Sequence, residues 1–139
     1  MKKFHAMASE SFPDAMVQVD NSRIKIIFPE SAMFNTASAD ILPEFEKSLQ
    51  KFAQLLNKYP KTILTIIGFT DSRGEKDYNM MLSYERSGKT RAYLEKSGVD
   101  NNRLFSDGLG ENYPRATNFT SRGRAKNRRV EFEIRYSNY

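Results

Sequence analysis

The chain is 139 residues long and carries 22 Lys and Arg against 17 Asp and Glu, a formal charge of +5. That length suits one domain with a core of its own. With no cysteine and a single histidine, His5, disulfides and thiol chemistry are excluded and a zinc site is argued against. The moderate positive charge permits polyanionic partners without demanding them.

Met1-Lys2-Lys3 begins like a secretory leader, but Phe4 to Met7 run straight into Ser9, Glu10 and Ser11, so there is no apolar core segment. Neither a signal peptide nor a membrane span is expected. The chain is then either cytoplasmic or the soluble piece of a longer exported or membrane-anchored protein. Residues 1–13 show no periodicity and read as a flexible lead-in, leaving residues 14–137 as a single domain.

From Met16 the pattern changes. Val17 and Val19 alternate with Gln18, Asp20-Asn21-Ser22 supplies a turn, and Ile24, Ile26 and Phe28 alternate with Arg23, Lys25 and Ile27. This predicts a hairpin with one buried face, stopped by Pro29. A loop from Glu30 to Ser38 follows, in which Met33 and Phe34 are expected to be exposed. Asp40 is a candidate N-cap with Pro43 in the first turn, and Leu42, Phe45, Leu49, Phe52, Leu55 and Leu56 form an apolar helical stripe ending at Tyr59-Pro60.

The next stretch, ILTIIGFTDSRGEKDYNMMLSYER, carries the chemistry. Ile63, Leu64, Ile66 and Ile67 predict a strand buried on both faces, ended by Gly68, that delivers Thr70, Asp71 and Ser72 to a polar tip. A helix from about Asp77 to Lys96 then places Asn79, Leu82, Ser83 and Arg86 on one face, with Tyr78, Met81, Leu82, Ala92 and Tyr93 expected to supply contacts and Ser97-Gly98 the stop. A carboxylate at the strand end and a guanidinium on the following helix can converge on one pocket. Asp71 would take an ammonium and Arg86 a carboxylate, the planar fork suiting it bidentately, so the pair can bind a zwitterion. Two plainer readings stand beside this one: Asp71 and Arg86 pair with each other, or Asp71 caps the turn.

Leu104 to Leu109 predicts a short strand with Gly108 and Gly110 at its edge. Glu111 to Asn127 is polar and basic, and Val130, Phe132 and Ile134 then alternate with Arg129, Glu131, Glu133 and Arg135 as a strand with one core face and one charged, solvated face. The order of elements predicts an α+β fold, a mixed sheet with two main helices packed on one face.

GFTDSRG, YNMMLSYERS and GRAKNRRVEFEI, in that order, resemble the OmpA-like peptidoglycan-binding domain shared by outer-membrane porins, peptidoglycan-associated lipoproteins and flagellar stator proteins of the MotB type. The resemblance runs from about Ile24 to Ile134 and implies the OmpA-like β/α/β/α/β sandwich in the periplasm. It implies a clamp on the diaminopimelate residue of the cell-wall stem peptide by Asp71 and Arg86. It further implies an accessory contact from Asn79 to the ligand carboxylate, an apolar wall from Leu82, Thr70 beside the clamp, and a first-loop contribution from Phe34-Asn35. Where the family usually has His before Thr-Asp, this chain has Phe69, which puts the pocket lining or its support in question. Residues 28–44 look most like stator-type members, and the DSRGEKDYN region is closer to the porin and lipoprotein type.

No residue calls for an enzyme: there is no Cys nucleophile, no second carboxylate patterned for glycoside hydrolysis, and no histidine beyond His5. No cofactor and no metal are expected. Arg115, Arg122, Arg124, Lys126, Arg128 and Arg129 raise nucleic-acid binding as a competing class, against which stand the single aromatic Phe119 and the Arg/Glu alternation of the last strand. The reading therefore expects no nucleic acid and treats the basic segment as a solvated loop tied back by Asn127 and Arg128. A partner or homodimerisation module of the same fold is the remaining alternative, and a membrane would be reached only through a segment absent from this chain.

Overall fold

The structure is a computed structural model that describes residues 2–20 and 22–137. In chain order it comprises α1 (Lys2–Ser11), β1 (Met16–Asp20), β2 (Arg23–Pro29), α2 (Glu30–Met33), α3 (Pro43–Lys58), β3 (Thr62–Phe69), α4 (Lys76–Lys96), a short 3-10 turn (Asn101–Arg103), β4 (Leu104–Gly110), α5 (Ser121–Asn127) and β5 (Arg129–Tyr136). The strands form one sheet in the order β1-β2-β5-β3-β4, antiparallel throughout except for the parallel β3–β4 pair. Asn21, in the expected hairpin turn, lies outside the described residues. Among the described residues no helix is long and apolar enough to cross a membrane.

Register decides which side chains share a face. Ile26 opposes Phe132, which opposes Ile66, and Gly68 opposes both Val130 and Gly108, so these positions all point to the helical side. On that side α3 buries Phe45, Leu49, Phe52, Leu55 and Leu56 against the sheet, the stripe that its helical spacing predicts. Its N-cap is Leu42 rather than Asp40, which instead pairs with Lys89 at 2.8 Å from an exposed position. The helix stops at Tyr59, and the Arg103 guanidinium fastens this end by donating from Nη2 to the carbonyl oxygens of Leu56 (2.6 Å) and Tyr59 (3.0 Å).

The segment expected as a flexible lead-in is α1, and it belongs to the core. Phe4, Ala8 and Phe12 recur every four residues and are almost fully buried. Phe4 meets Phe52 and Tyr59 edge-on, and Phe12 packs among Phe28, Phe45, Phe52 and Phe132 at centroid separations of 4.8–6.1 Å. Burying each ring stabilises the fold by roughly 1.5–3 kcal/mol. Met33 and Phe34 are also buried, at 0% and 2% exposure, because residues 30–33 close into α2 and Phe34 bridges to Ile41.

The helix α4 packs differently. Its buried residues are Asn79, Ser83, Arg86, Ser87, Thr90 and Leu94, whereas Tyr78, Met81 and Ala92, expected as contacts, are exposed. What brings it onto the sheet is a pair of glycines. A Cβ on Gly68 would stand 2.4 Å from the Ser83 carbonyl oxygen, and one on Gly108 would stand 2.3 Å from the Tyr84 nitrogen. Backbone therefore lies on backbone, and Ser83 Oγ accepts the Gly110 N–H at 3.0 Å. Strand β3 runs through Gly68 to Phe69, with a register shift against β4 between those two residues, and its outer positions Ile63, Thr65 and Ile67 are only partly covered. It is thus buried on one face, not both.

The basic segment is organised rather than loose. Thr120 caps α5 by accepting the Gly123 N–H at 3.0 Å. Asn127, fully buried, accepts the N–H groups of Arg115 (2.7 Å) and Ala116 (2.9 Å) and donates to the Ala116 carbonyl (2.9 Å) and to Asn118 Oδ1 (2.9 Å).

Three outcomes follow for urea unfolding and hydrogen exchange. Gly108→Ala lowers stability by about 2–3 kcal/mol, because the nearest obstructing atom is the Tyr84 backbone nitrogen, which cannot rotate away. Phe12→Ala costs about 3–5 kcal/mol, where a detached lead-in would show no change. Asn127→Ala costs about 2–3 kcal/mol and speeds amide exchange at Arg115 and Ala116, whose buried-side partners it removes.

Candidate functional site

Three strands finish side by side. Pro29 of β2 opposes Arg129 of β5, and Arg129 opposes Phe69 of β3. The adjoining residues Glu30, Arg128 and Thr70 therefore emerge in one row at the same end of the sheet, with Asp71 next to Thr70. The Glu30 N–H donates to the Arg128 carbonyl at 3.0 Å, and the Thr70 N–H donates to the Gly110 carbonyl at 2.8 Å, which fixes the row.

Asp71 is 7% exposed and takes two partners: its Oδ1 accepts the Arg73 N–H at 2.8 Å, closing the turn, and its Oδ2 pairs with Arg128 Nη1 at 2.6 Å. The turn-capping reading is realised; the direct pairing with Arg86 is not. Arg86 comes up from the buried face of α4 at 4% exposure. Its Nε donates to the Ser38 carbonyl (2.8 Å), its Nη2 to the Asn35 carbonyl (3.3 Å) and to Glu30 Oε1 (3.0 Å), and its guanidinium lies over the Phe34 ring at 4.9 Å. Glu30 completes the series, since its other oxygen, Oε2, pairs with Arg128 Nε at 3.0 Å. Four charges thus alternate in sign, Arg86, Glu30, Arg128, Asp71.

These four, with Thr70, Asn79 and Leu82, line a cavity of about 240 Å³ whose mouth is formed by Thr36, Ala37, Gly74, Glu75 and Tyr78. Five of the seven residues expected at a site, Asp71, Arg86, Asn79, Thr70 and Leu82, are on its wall. Phe34 and Asn35 are not; they lie beneath Arg86 and support it, one by its ring and one by its carbonyl. Asn79 donates both amide protons to loop carbonyls, of Arg73 at 2.8 Å and Asp71 at 3.4 Å, so it shapes the 71–75 turn and leaves no amide donor for a carboxylate. Among the described residues no group of carboxylates and histidines is placed to hold a metal.

Glu30 and Arg128 were not among the expected site residues. Arg128 is legible in the register, one residue before a strand that must pair with the strand carrying Thr70-Asp71. Glu30 follows a proline that ends the neighbouring strand and carries no local signal. Phe69, in place of the family's usual His, lies on the other side of the sheet, under the Arg129 guanidinium at 3.8 Å, and does not line the cavity. There Arg129 and Glu131, expected on a solvated face, are 4% and 6% exposed and paired at 2.7 Å. Desolvation lowers the Arg129 pKa from its ordinary value, with the Glu131 carboxylate opposing it. Of the basic cluster, Arg128 and Arg129 are in ion pairs, and Arg124 donates to the Asn118 carbonyl at 3.0 Å.

Comparison with known proteins gives concordant results. The chain is 40% identical over 120 residues to Probable lipoprotein YiaD of Escherichia coli strain K12, covering 85% of this chain and 55% of YiaD. It is 37% identical over 101 residues to Peptidoglycan-binding protein ArfA of Mycobacterium tuberculosis strain H37Rv, covering 73% of this chain and 31% of ArfA. The chain thus spans about half the length, or less, of these relatives. Among solved structures, the cell wall anchor of the T6SS from Pseudomonas aeruginosa superposes with a TM-score of 0.83 at 28% identity, covering 97% of this chain and 96% of that one. A MotB-like protein from Desulfovibrio vulgaris shares the fold, with a TM-score of 0.86 at 24% identity over 97% of this chain and 90% of that one. The model of the OmpA family matches residues 33–128. With a matched family span and a five-stranded mixed sheet under helices of the same arrangement, this chain belongs to the OmpA family.

Proposed function

We propose that the domain binds cell-wall peptidoglycan without catalysis, receiving the zwitterionic end of the stem-peptide diaminopimelate in the cavity at the strand ends. The observation that carries the reading is that the Asp71 carboxylate and the Arg86 guanidinium stand, among other charges, on the wall of the same 240 Å³ cavity. Asp71 keeps acceptor capacity for an ammonium, since each of its oxygens has one protein partner. Arg86 offers Nη1, its one guanidinium nitrogen without a hydrogen bond to the described residues, while Nε and Nη2 are engaged. The grip on a carboxylate is therefore one-pronged in this state, and the bidentate fork expected from sequence is closed by Glu30 and the Ser38 and Asn35 carbonyls. Leu82 and Thr70 complete the wall.

Support comes from the relatives: one is named as peptidoglycan-binding and another as a cell wall anchor. In this reading the domain works in the periplasm and anchors a larger envelope protein to the wall. Each single contact is weak, because a ligand that ends in one zwitterion makes few bonds and is ordered on binding. Retention then comes from the density of stem peptides.

Calorimetric titration with a diaminopimelate-containing stem peptide, beside the same peptide carrying lysine there, tests it. Saturable binding of the first and loss of the second is expected, since lysine keeps the ammonium and lacks the carboxylate. Asp71→Asn, which preserves shape and removes the charge, weakens binding by about tenfold or more. Equal affinity for the two peptides, or no heat with either, overturns the assignment.

A further inference from the structure

Glu30 is not accounted for by a clamp made of Asp71 and Arg86. It begins α2, is mostly buried, and places one oxygen on each guanidinium of the cavity, 3.0 Å from Arg86 Nη2 and 3.0 Å from Arg128 Nε. It holds the position on Arg86 that an incoming carboxylate would take for a two-pronged grip. We propose that Glu30 sets the specificity of the site, acting as a resident carboxylate that makes the cavity reject ligands bearing a carboxylate without an ammonium. This inference rests on the reading of the cavity as the zwitterion site and deepens it.

The argument is one of charge. Arg86 and Arg128 carry two positive charges, Glu30 and Asp71 two negative ones, and their ion pairs close the series with no net charge. A lone carboxylate entering leaves this series one charge negative, beside the Glu30 carboxylate and with Glu75 adding a further negative charge to the lining. A zwitterion leaves the sum unchanged, because its ammonium adds the matching charge at Asp71. With Glu30 neutral, the remaining members of the series, Arg86, Arg128 and Asp71, sum to one positive charge, the Nη2 proton that Glu30 held is released while the Ser38 and Asn35 carbonyls keep theirs, and a lone carboxylate becomes a fitting ligand. The discrimination thus comes from a repulsive element built into the wall, as well as from the attractive pair.

The test compares the wild-type domain with Glu30→Gln against two probes: the diaminopimelate stem peptide, and the same peptide with its free diaminopimelate amine acetylated. Thermal unfolding checks that both proteins are folded. The wild type is expected to prefer the free-amine peptide by about tenfold or more, and Glu30→Gln to reduce that preference by about tenfold through tighter binding of the acetylated probe. Glu30→Asp, which restores the charge on a shorter stem, keeps the wild-type preference; a merely structural role would make Asp and Gln alike. Because Glu30→Asp is read on its own, the proposal stays testable even if the Gln variant does not fold.

The outcomes separate the two claims. If the wild type discriminates and Glu30→Gln discriminates equally, or Glu30→Asp accepts the acetylated probe, the role of Glu30 is overturned while the wall-binding reading stands. If the wild type binds neither peptide and Glu30→Gln binds the acetylated one, the role of Glu30 stands and the wall-binding reading falls. Binding of neither probe by any of the proteins overturns both.

Discussion

The contact on which the rest depends is the bare approach of α4 to β3 and β4 at Gly68 and Gly108. Two missing Cβ atoms let a helix with a polar inner face sit on a sheet, main chain against main chain. Once the helix is that close, its buried residues from Ser83 to Thr90 are small and hydrogen-bonded, Ser83, Ser87 and Thr90, and the large apolar Leu94 is buried only near the end of the helix. Arg86 is the exception in size. It lies on the same inner face, about three turns from the start of α4, and reaches past the strand ends to α2 and the loop after it.

The ion series at the strand ends follows from that placement. Charges this buried contribute little net stability, because desolvation offsets their attraction, although removing one partner alone costs about 3–5 kcal/mol. What the series supplies is position. Each member is held by a partner from a different part of the chain: Asp71 by Arg128 at the junction of α5 and β5, Arg128 by α2 through Glu30, Glu30 by α4 through Arg86. The cavity wall is in this way set by polar bonds of fixed length rather than by loop packing, which suits a ligand recognised by charge. The aromatic cluster around Phe12, Phe28, Phe52 and Phe132, on the helical face of the sheet, carries the burial that holds the layers together.

Legibility in the sequence varied with the physical signal each part leaves. The hairpin, α3 and β5 announce themselves because alternation and helical spacing each sort apolar from polar residues, and the structure has them where the pattern puts them. The helix α1 was lost because Phe4, Ala8 and Phe12 give only three positions over ten residues, with no cap or stop to frame them. For α4 the presence was clear and the buried face was not, since its apolar residues Tyr78 and Met81 point outward and the packing depends on glycines in other elements. At the site, Asp71 and Arg86 were found from local spacing and motif. Arg128 follows only from the pairing of β5 with β3, and Glu30 carries no local signal at all. The expectation of a charged, wet outer face on β5 failed at Arg129 and Glu131, where Phe69 and the Tyr113 carbonyl cover the pair.

The side-by-side finish of β2, β5 and β3 has a mechanical consequence. A molecule held at Asp71 and Arg86 pulls on the end of β3 and, through the Arg128 and Glu30 ion pairs, on the adjoining ends of β5 and β2, each bonded to its neighbours along its length. Force directed along the strands then loads these ladders in shear, with many hydrogen bonds sharing the strain, instead of peeling an edge strand one bond at a time. Asp71 belongs to a turn that would yield alone; its pair with Arg128 ties that turn back to the sheet.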